Sequence, residues 1–202
     1  MKAKDETSSQ ADLAGYEILI AVCGGIAAYK VCQVVSHLAQ RGCGVTVAMT
    51  KAARKFVGPV TFQALTGRKV LTSLWSSADP GDVQHIRRTE EADAVLIAPA
   101  TANIIGKMAG GIADDLVSTL VISAASPIVL APAMNERMWA SPAVAENIAK
   151  LKERGCLVVG PNEGWLACRG VGPGRMSEPD EIIEALVHLI GSGQPKRSVD
   201  TS

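Results

Sequence analysis

Apolar positions along this chain fall into two kinds of run that take turns. Short, unbroken stretches of branched residues recur: EILIAVC before Gly24, GVTVAMT from Gly44, DAVLIAPAT from Asp93, PIVLAPAMN from Pro127 and CLVVGP from Cys156. Unbroken hydrophobicity over so few residues marks a strand buried on both faces. Between these runs the apolar spacing becomes helical. IAAYKVCQVVSHLAQRG repeats in that way and stops at Gly42, and further helices are predicted around Val60 to Leu65, and over Ala102 to Ala109, Asp114 to Ala124, Ala143 to Arg154 and Pro179 to Ile190. Strands alternating with helices require parallel pairing through right-handed crossovers. The predicted fold class is therefore α/β: a doubly wound, Rossmann-like (flavodoxin-like) parallel sheet with helices on both faces, in a single domain. The polar, aperiodic ends, residues 1–15 and 191–202, read as disordered tails around a domain over 16–190.

Composition narrows the partner more than the fold. Aromatics make up only 3% of the 202 residues, so the core has to be built from Ala, Val, Ile and Leu, as parallel sheets usually are. Lys plus Arg equals Asp plus Glu, leaving no net charge and removing the general attraction that nucleic acid or an anionic membrane surface requires. A small-molecule partner fits better. No run reaches the ~18 to 20 apolar residues of a membrane helix. The first fifteen residues lack the apolar stretch of a secretory signal. The five cysteines, Cys23, Cys32, Cys43, Cys156 and Cys168, are odd in number and lack CxxC spacing, which argues against a disulfide framework or a zinc site. A cytoplasmic protein without a metal is expected.

In open parallel sheets ligands bind beyond the carboxyl ends of the strands, so the turns there are where chemistry is sought. In CGGIAAYK, Gly24 and Gly25 would let backbone N–H groups approach an anion at the start of the next helix. This is neither GxGxxG nor a Walker A loop; a mononucleotide is permitted, and a plain tight turn is the alternative. In APATAN, Thr101 and Asn103 stand where a helix begins and either cap it or bond a ligand. Asp114 and Asp115 precede an apolar run and read as helix caps. In APAMNERMW, Asn135 either caps the next turn or offers its amide to a carboxylate or carbonyl, with Met134 and Met138 as adaptable apolar surface. His85 is either a surface or packing residue or a base, and Lys30, on the first helix, reads as a solvated side chain. GWLACRGVGPGRMSEP is too dense in Gly and Pro for a regular element and predicts a loop able to fold over a ligand. Cys168 within it has the mobile support that a proton donor or nucleophile at a closed site needs. The other four cysteines read as small buried residues.

Taken together, GGIAAYK, HI followed by AD, APATAN, GKMAGGIADDL, APAMNERMW, GPNEGWLAC and GVGPGRMSEP resemble the homo-oligomeric flavin-containing cysteine decarboxylase family, and within it the phosphopantothenoylcysteine decarboxylases, from about Ile18 to Ile190. PAMN followed by LAC and GRM is the specific combination. The resemblance implies FMN lined by Gly24, Gly25, Ile26, Thr50, Phe56, Thr101, Ala102, Asn103, Ile104 and Ala133, with its phosphate at the first turn. It matches His85 to the family's active-site histidine, Cys168 to the catalytic cysteine of a flap, and Asn135 with Met138 to the substrate carboxylate; Lys30 joins them as a candidate substrate-binding residue. It also implies trimers, or dodecamers of trimers, with the flavin at a subunit interface. Two positions depart from the family pattern: Arg169 stands where a glycine usually follows the flap cysteine, and Arg88 replaces a leucine. Bacterial relatives are often fused to the ligase that makes the substrate, so here that ligase is expected to be a separate protein.

The chemistry explains why a flavin is wanted. Direct loss of CO2 from a cysteine-derived carboxylate leaves a carbanion with no electron sink. By the family's chemistry, oxidation beside the sulfur gives a thioaldehyde that can accept those electrons; the resulting ene-thiolate is then protonated by Cys168 and reduced, without net redox change. The product expected from 4'-phosphopantothenoylcysteine is 4'-phosphopantetheine, a step of coenzyme A biosynthesis. The rival readings are a flavin prenyltransferase or a peptidyl-cysteine decarboxylase of the same fold, a flavin-binding regulatory subunit without catalysis, and a nicotinamide dehydrogenase, which the missing GxGxxG disfavours.

Overall fold

Strand β1 (Glu17–Val22) shows how the chain is layered: Ile18, Ile20 and Val22 are buried in one core, and Leu19 and Ala21 in another. Successive side chains of a strand leave opposite faces, so a strand apolar on both must be covered on both. The computed structural model describes residues 13–74, 89–191 and 195–196. Within them, β1, β2 (Gly44–Met49), β3 (Ala94–Ala100), β4 (Ile128–Pro132) and β5 (Leu157–Val158) form one parallel sheet in the order β2-β1-β3-β4-β5. The helices are α1 (Ala28–Gln40), α2 (Pro59–Thr66), α3 (Ala102–Gly110), α4 (Leu116–Ser123), α5 (Glu136–Trp139), α6 (Pro142–Glu153) and α7 (Pro179–Ile190), with a 3-10 turn at Ala53–Lys55. The order is the flavodoxin-like one, and the fold class is the doubly wound α/β one expected from the sequence.

The two cores follow from where the helices lie. Val31, Val34, Val35 and Leu38 of α1, Phe62 of α2, and Ile182, Ile183 and Leu186 of α7 cover one face of the sheet. Ile104, Ile105 and Met108 of α3, Val117 and Leu120 of α4, and Ile148 and Leu151 of α6 cover the other. Each fully buried aliphatic side chain stabilises the fold by about 1.5–3 kcal/mol relative to its exposure. Proline at the first position of α2, α6 and α7 removes an N–H that has no partner there. Alternation along β3 breaks near its end: Ala94, Leu96 and Ala98 belong to the first core, Val95, Ile97 and Ala100 to the second, and the register with β4 shifts between Ile97 and Ala100. Pro99, which lacks the N–H a ladder needs, lies inside that shift.

Two expectations change. The stretch predicted as an irregular loop is an antiparallel hairpin, β6 (Asn162–Trp165) with β7 (Val171–Arg175). Its glycines serve close approach: a Cβ on Gly174 would lie 2.2 Å from the Met134 carbonyl oxygen, and one on Gly172 2.3 Å from Glu136 Oε2. The fifth strand is only two residues long. Beyond 16–190, Leu13 is buried in the first core with its N–H on the Arg41 carbonyl, and the Lys196 ammonium donates to the Ala92 carbonyl and Ser126 hydroxyl. Among the described residues no helix is long and apolar enough to cross a membrane.

Candidate functional site

A cleft of about 960 Å³ opens at the carboxyl ends of β1, β2, β3 and β4, astride the point where the chain, having placed β2 on one side of β1, crosses to the other to form β3. Ligands of doubly wound folds lodge at this reversal. Four turns build its floor: Cys23–Ala27 after β1, Thr50–Ala52 after β2, Thr101–Asn103 after β3 and Ala133–Asn135 after β4. The hairpin tip, Trp165 to Cys168, and the return strand at Gly174 and Arg175 form a further wall.

The two glycines of the first turn differ in what demands them. A Cβ on Gly24 would fall 2.4 Å from the Ala52 Cβ, so only glycine lets the turns after β1 and β2 meet. A Cβ on Gly25 would meet nothing closer than Pro99 Cγ at 3.7 Å, so the fold tolerates a side chain there and the cleft gains the space. No side chain caps α1 at Ala27. Thr101, the N-cap residue of α3, makes no side-chain cap bond either. Both helices thus start at the cleft wall without a side-chain cap, the first turn of α1 being held by backbone bonds from the Ala28 N–H to the Gly25 carbonyl and from the Lys30 N–H to the Ala27 carbonyl. The Thr50 hydroxyl is engaged, accepting from the Ala53 N–H at 3.0 Å and shaping the turn after β2.

The cleft is cationic. Lys30, Lys51 and Arg175 line it against one carboxylate, Asp115. That carboxylate caps α4 through the Ser118 N–H at 2.9 Å, in a capping box with the Ser118 hydroxyl, as the sequence predicted. Lys107 clasps it as well, at 2.7 Å, with Asp114 at 2.6 Å. Burial opposes the charge of Asp115, yet the bonds from Lys107 and Ser118 prevail and hold its carboxyl below the usual aspartate range. Hydrogen bonding to Asp114 and then Asp115 raises the Lys107 ammonium.

Asn135 takes the capping role that its residue type allows. Its Oδ1 accepts from the Arg137 N–H at 2.8 Å, capping α5. With Oδ1 so engaged, the Nδ2 donors are what this side chain offers the cleft, and a donor suits a carboxylate. Met138, 48% exposed, stands beside it on the cleft wall. Cys168 is the exposed cysteine. Burial pushes the Cys23 and Cys43 thiols up to about 12, and raises those of Cys32 and Cys156. Next to Cys168, Arg169 has φ +65, the left-handed region that favours glycine, at the position where the resemblance leads one to expect a glycine.

Most residues singled out in the sequence converge here: Gly24, Gly25, Ile26, Lys30, Thr50, Thr101, Ala102, Asn103, Ala133, Asn135, Met138 and Cys168 all line the cleft. Ile104 does not; it is buried in the second core behind β3. Phe56 lies half-exposed after the 3-10 turn, away from the cleft of a single chain. His85 and Arg88 lie outside the described residues. Sequence reasoning passed over Lys51, Asp115, Trp165 and Arg175 as cleft residues. No signal in the sequence marked Arg175, which follows Gly174, a glycine whose passage under Met134 only the fold reveals.

A family model described as Flavoprotein matches residues 6–191. The chain is 46% identical over 167 residues, 83% of its length, to the coenzyme A biosynthesis bifunctional protein CoaBC of Bacillus subtilis, and it spans 41% of that relative. Among solved structures, it resembles the FMN-dependent cysteine decarboxylase SpaF with a TM-score of 0.73 and 35% identity, covering 86% of this chain and 99% of that one. It resembles a Cys-to-Ser mutant of PPC decarboxylase complexed with pantothenoylaminoethenethiol with a TM-score of 0.76 and 30% identity, covering 88% and 99%.

Proposed function

The chain belongs to the Flavoprotein family, and from that premise we propose that it is an FMN-dependent decarboxylase converting 4'-phosphopantothenoylcysteine to 4'-phosphopantetheine, in coenzyme A biosynthesis. The observation that carries the reading is that one cleft gathers a glycine turn, two helix starts without side-chain caps, the Asn135 amide and the Cys168 thiol. Identity to a coenzyme A biosynthesis protein and to cysteine decarboxylases supports the substrate and the reaction class.

The cleft fits a flavin mononucleotide on its own terms. Gly25 leaves room where any side chain would intrude, and α1 starts at the cleft wall without a side-chain cap, where an anion is favoured. Gly24, Gly25, Ile26, Thr50, Thr101, Ala102, Asn103 and Ala133 would hold it, with Ile104 contributing backbone and Phe56 packing from a neighbouring subunit. Bound there, the flavin supplies the electron sink that departure of CO2 requires and returns the electrons afterwards.

The chain's own residues do the rest. Asn135 Nδ2 orients the substrate carboxylate with Met138 packed against it, and the hairpin brings Cys168 over the substrate to protonate the ene-thiolate and exclude water. His85 positions the substrate for oxidation, and Lys30 binds its distal part. The working unit is a homo-oligomer, a trimer or a dodecamer of trimers; the exposed Ile26 and Tyr29 on the cleft lining support this reading, since a second chain packed there would cover them and complete the flavin site. The deciding experiment incubates the purified yellow protein with 4'-phosphopantothenoylcysteine and follows CO2 and products by mass spectrometry. Formation of 4'-phosphopantetheine is expected; a protein that cannot be loaded with FMN, or that turns over only peptidyl-cysteine, overturns the assignment.

A further inference from the structure

We propose that Arg175 and Lys30 together hold the phosphate monoester end of the substrate, and that the Glu178 carboxylate occupies this pair until the phosphate displaces it. The inference rests on the phosphorylated substrate proposed above and names what reads the phosphate.

The two cations reach the cleft wall from different elements, Lys30 from α1 and Arg175 from the return strand of the hairpin. Both converge on one carboxylate outside that wall. Lys30 Nζ donates to Glu178 Oε1 and Oε2 at 3.1 and 3.0 Å, and Arg175 Nη2 donates to Glu178 Oε1. Two positive charges therefore share one negative charge, at a place where the Lys30 side chain is only 12% exposed. A phosphate monoester carries about −1.5 to −2 at neutral pH and presents three acceptor oxygens, a closer match to a guanidinium and an ammonium than a single carboxylate is. Hydrogen bonding from Lys30 first, then the neighbouring Arg175, holds Glu178 below the usual glutamate range, so it is a full charge in the resting state.

The exchange asks little of the backbone. The Glu178 N–H is fixed to Glu181 Oε2 at 2.7 Å at the start of α7, so the backbone stays in place while the side chain gives up its two cations and its part in the α7 capping box. The Met134 N–H donates to the Gly174 carbonyl at 3.0 Å, locking the residue before Arg175 against the residue before Asn135. Carboxylate and phosphate would thus be read by two side chains held in one register. A peptide ending in cysteine has no group for the Arg175 and Lys30 pair, which makes the pair a determinant of specificity between the two kinds of cysteine substrate.

The test titrates FMN-loaded protein with 4'-phosphopantetheine and with pantetheine by calorimetry. Wild type is expected to bind the phosphorylated ligand at least about tenfold more tightly, the scale of one or two charge-assisted bonds. Arg175→Gln should remove most of that preference while leaving pantetheine and FMN affinities unchanged. Lys30→Gln, on the helix side, is the second probe should loss of Arg175 disturb the hairpin. Glu178→Gln should tighten the phosphorylated ligand a few-fold and leave pantetheine alone, an effect that a merely structural carboxylate would not have. Equal binding of both ligands by wild type overturns the inference. So does a parallel loss for both ligands in Arg175→Gln, a loss of FMN affinity with the preference intact, or weaker phosphate binding in Glu178→Gln. Because binding is read without turnover, failure to release CO2 would count against the decarboxylase assignment and leave this measurement to decide the phosphate pair.

Discussion

Asn135 and Cys168 carry the sharpest consequences at the scale of single residues. The amide of Asn135 is divided: its oxygen is spent on the Arg137 N–H, so replacement by aspartate keeps the cap and replaces the donors with a second carboxylate. Asn135→Asp should therefore fold and bind FMN as wild type does, yet lose about 10-fold to 100-fold in kcat/KM, because two carboxylates would have to share one site. Steady-state kinetics beside a melting curve checks both halves. For Cys168, the exposed thiol on the hairpin turn, serine conserves size and removes the acidic proton. Cys168→Ser is expected to release CO2 while forming 4'-phosphopantetheine at least about 100-fold more slowly, the usual weight of a general acid. Full product formation by this variant would remove Cys168 from the proposed chemistry. Sequence alone left Asn135 between cap and ligand because an amide has two ends and a sequence does not say which is used. It left Arg175 unnoticed because nothing in GPGRM distinguishes a cleft residue from a loop residue until the glycine beneath Met134 is placed.

At the scale of elements, the buried parallel strands were legible because burial on both faces leaves an unbroken apolar run, and the helices because their buried residues recur at helical spacing. The hairpin was not. Its glycines look like loop residues, yet Gly174 is there to pass under the Met134 carbonyl, a tertiary reason invisible along the chain. Its turn carries a cost that can be measured. Arg169 occupies a left-handed conformation costing a side chain about 1 kcal/mol, between the Arg169 N–H bond to Leu166 O and the Leu166 N–H bond to Gly170 O. Arg169→Gly should relieve that cost and slow hydrogen exchange at the Leu166 and Arg169 amides by a few-fold. The clasp joining α3 to α4 gives a pH signature. Lys107 holds Asp114 and Asp115 with carboxyls below their ordinary value, so its contribution is complete above about pH 4 and is lost as pH falls through the depressed values. The Lys107 ammonium is raised, so the same contribution is lost again as pH rises through its folded value, above about 10. Exposure of the carboxylates keeps the clasp weak, and Lys107→Met should lower the neutral-pH melting temperature slightly while flattening its fall in acid.

At the scale of the whole molecule, the sheet and its helices exist to hold four turns at one edge, and binding there feeds back on global stability. A ligand that binds only the folded state adds RT ln(1 + [L]/Kd), about 2.7 kcal/mol at a hundredfold excess over Kd, or roughly 5–10 °C for a domain of this size. FMN should raise the melting temperature by that order, and the two glycines of the first turn separate fold from ligand. Gly24→Ala forces a Cβ to within 2.4 Å of Ala52, so it should destabilise the protein even without flavin. Gly25→Ala meets only ordinary contacts at 3.7 Å and 3.8 Å, so the flavin-free protein should melt as wild type does. Its methyl group would nevertheless occupy the space the cleft uses, and the FMN-dependent rise should shrink or vanish. Differential scanning calorimetry of the two variants, with and without FMN, reads both effects in one experiment. If Gly25→Ala keeps the full rise, the first turn does not contact the cofactor; if Gly24→Ala melts unchanged, the close approach of the turns after β1 and β2 is not what requires glycine there.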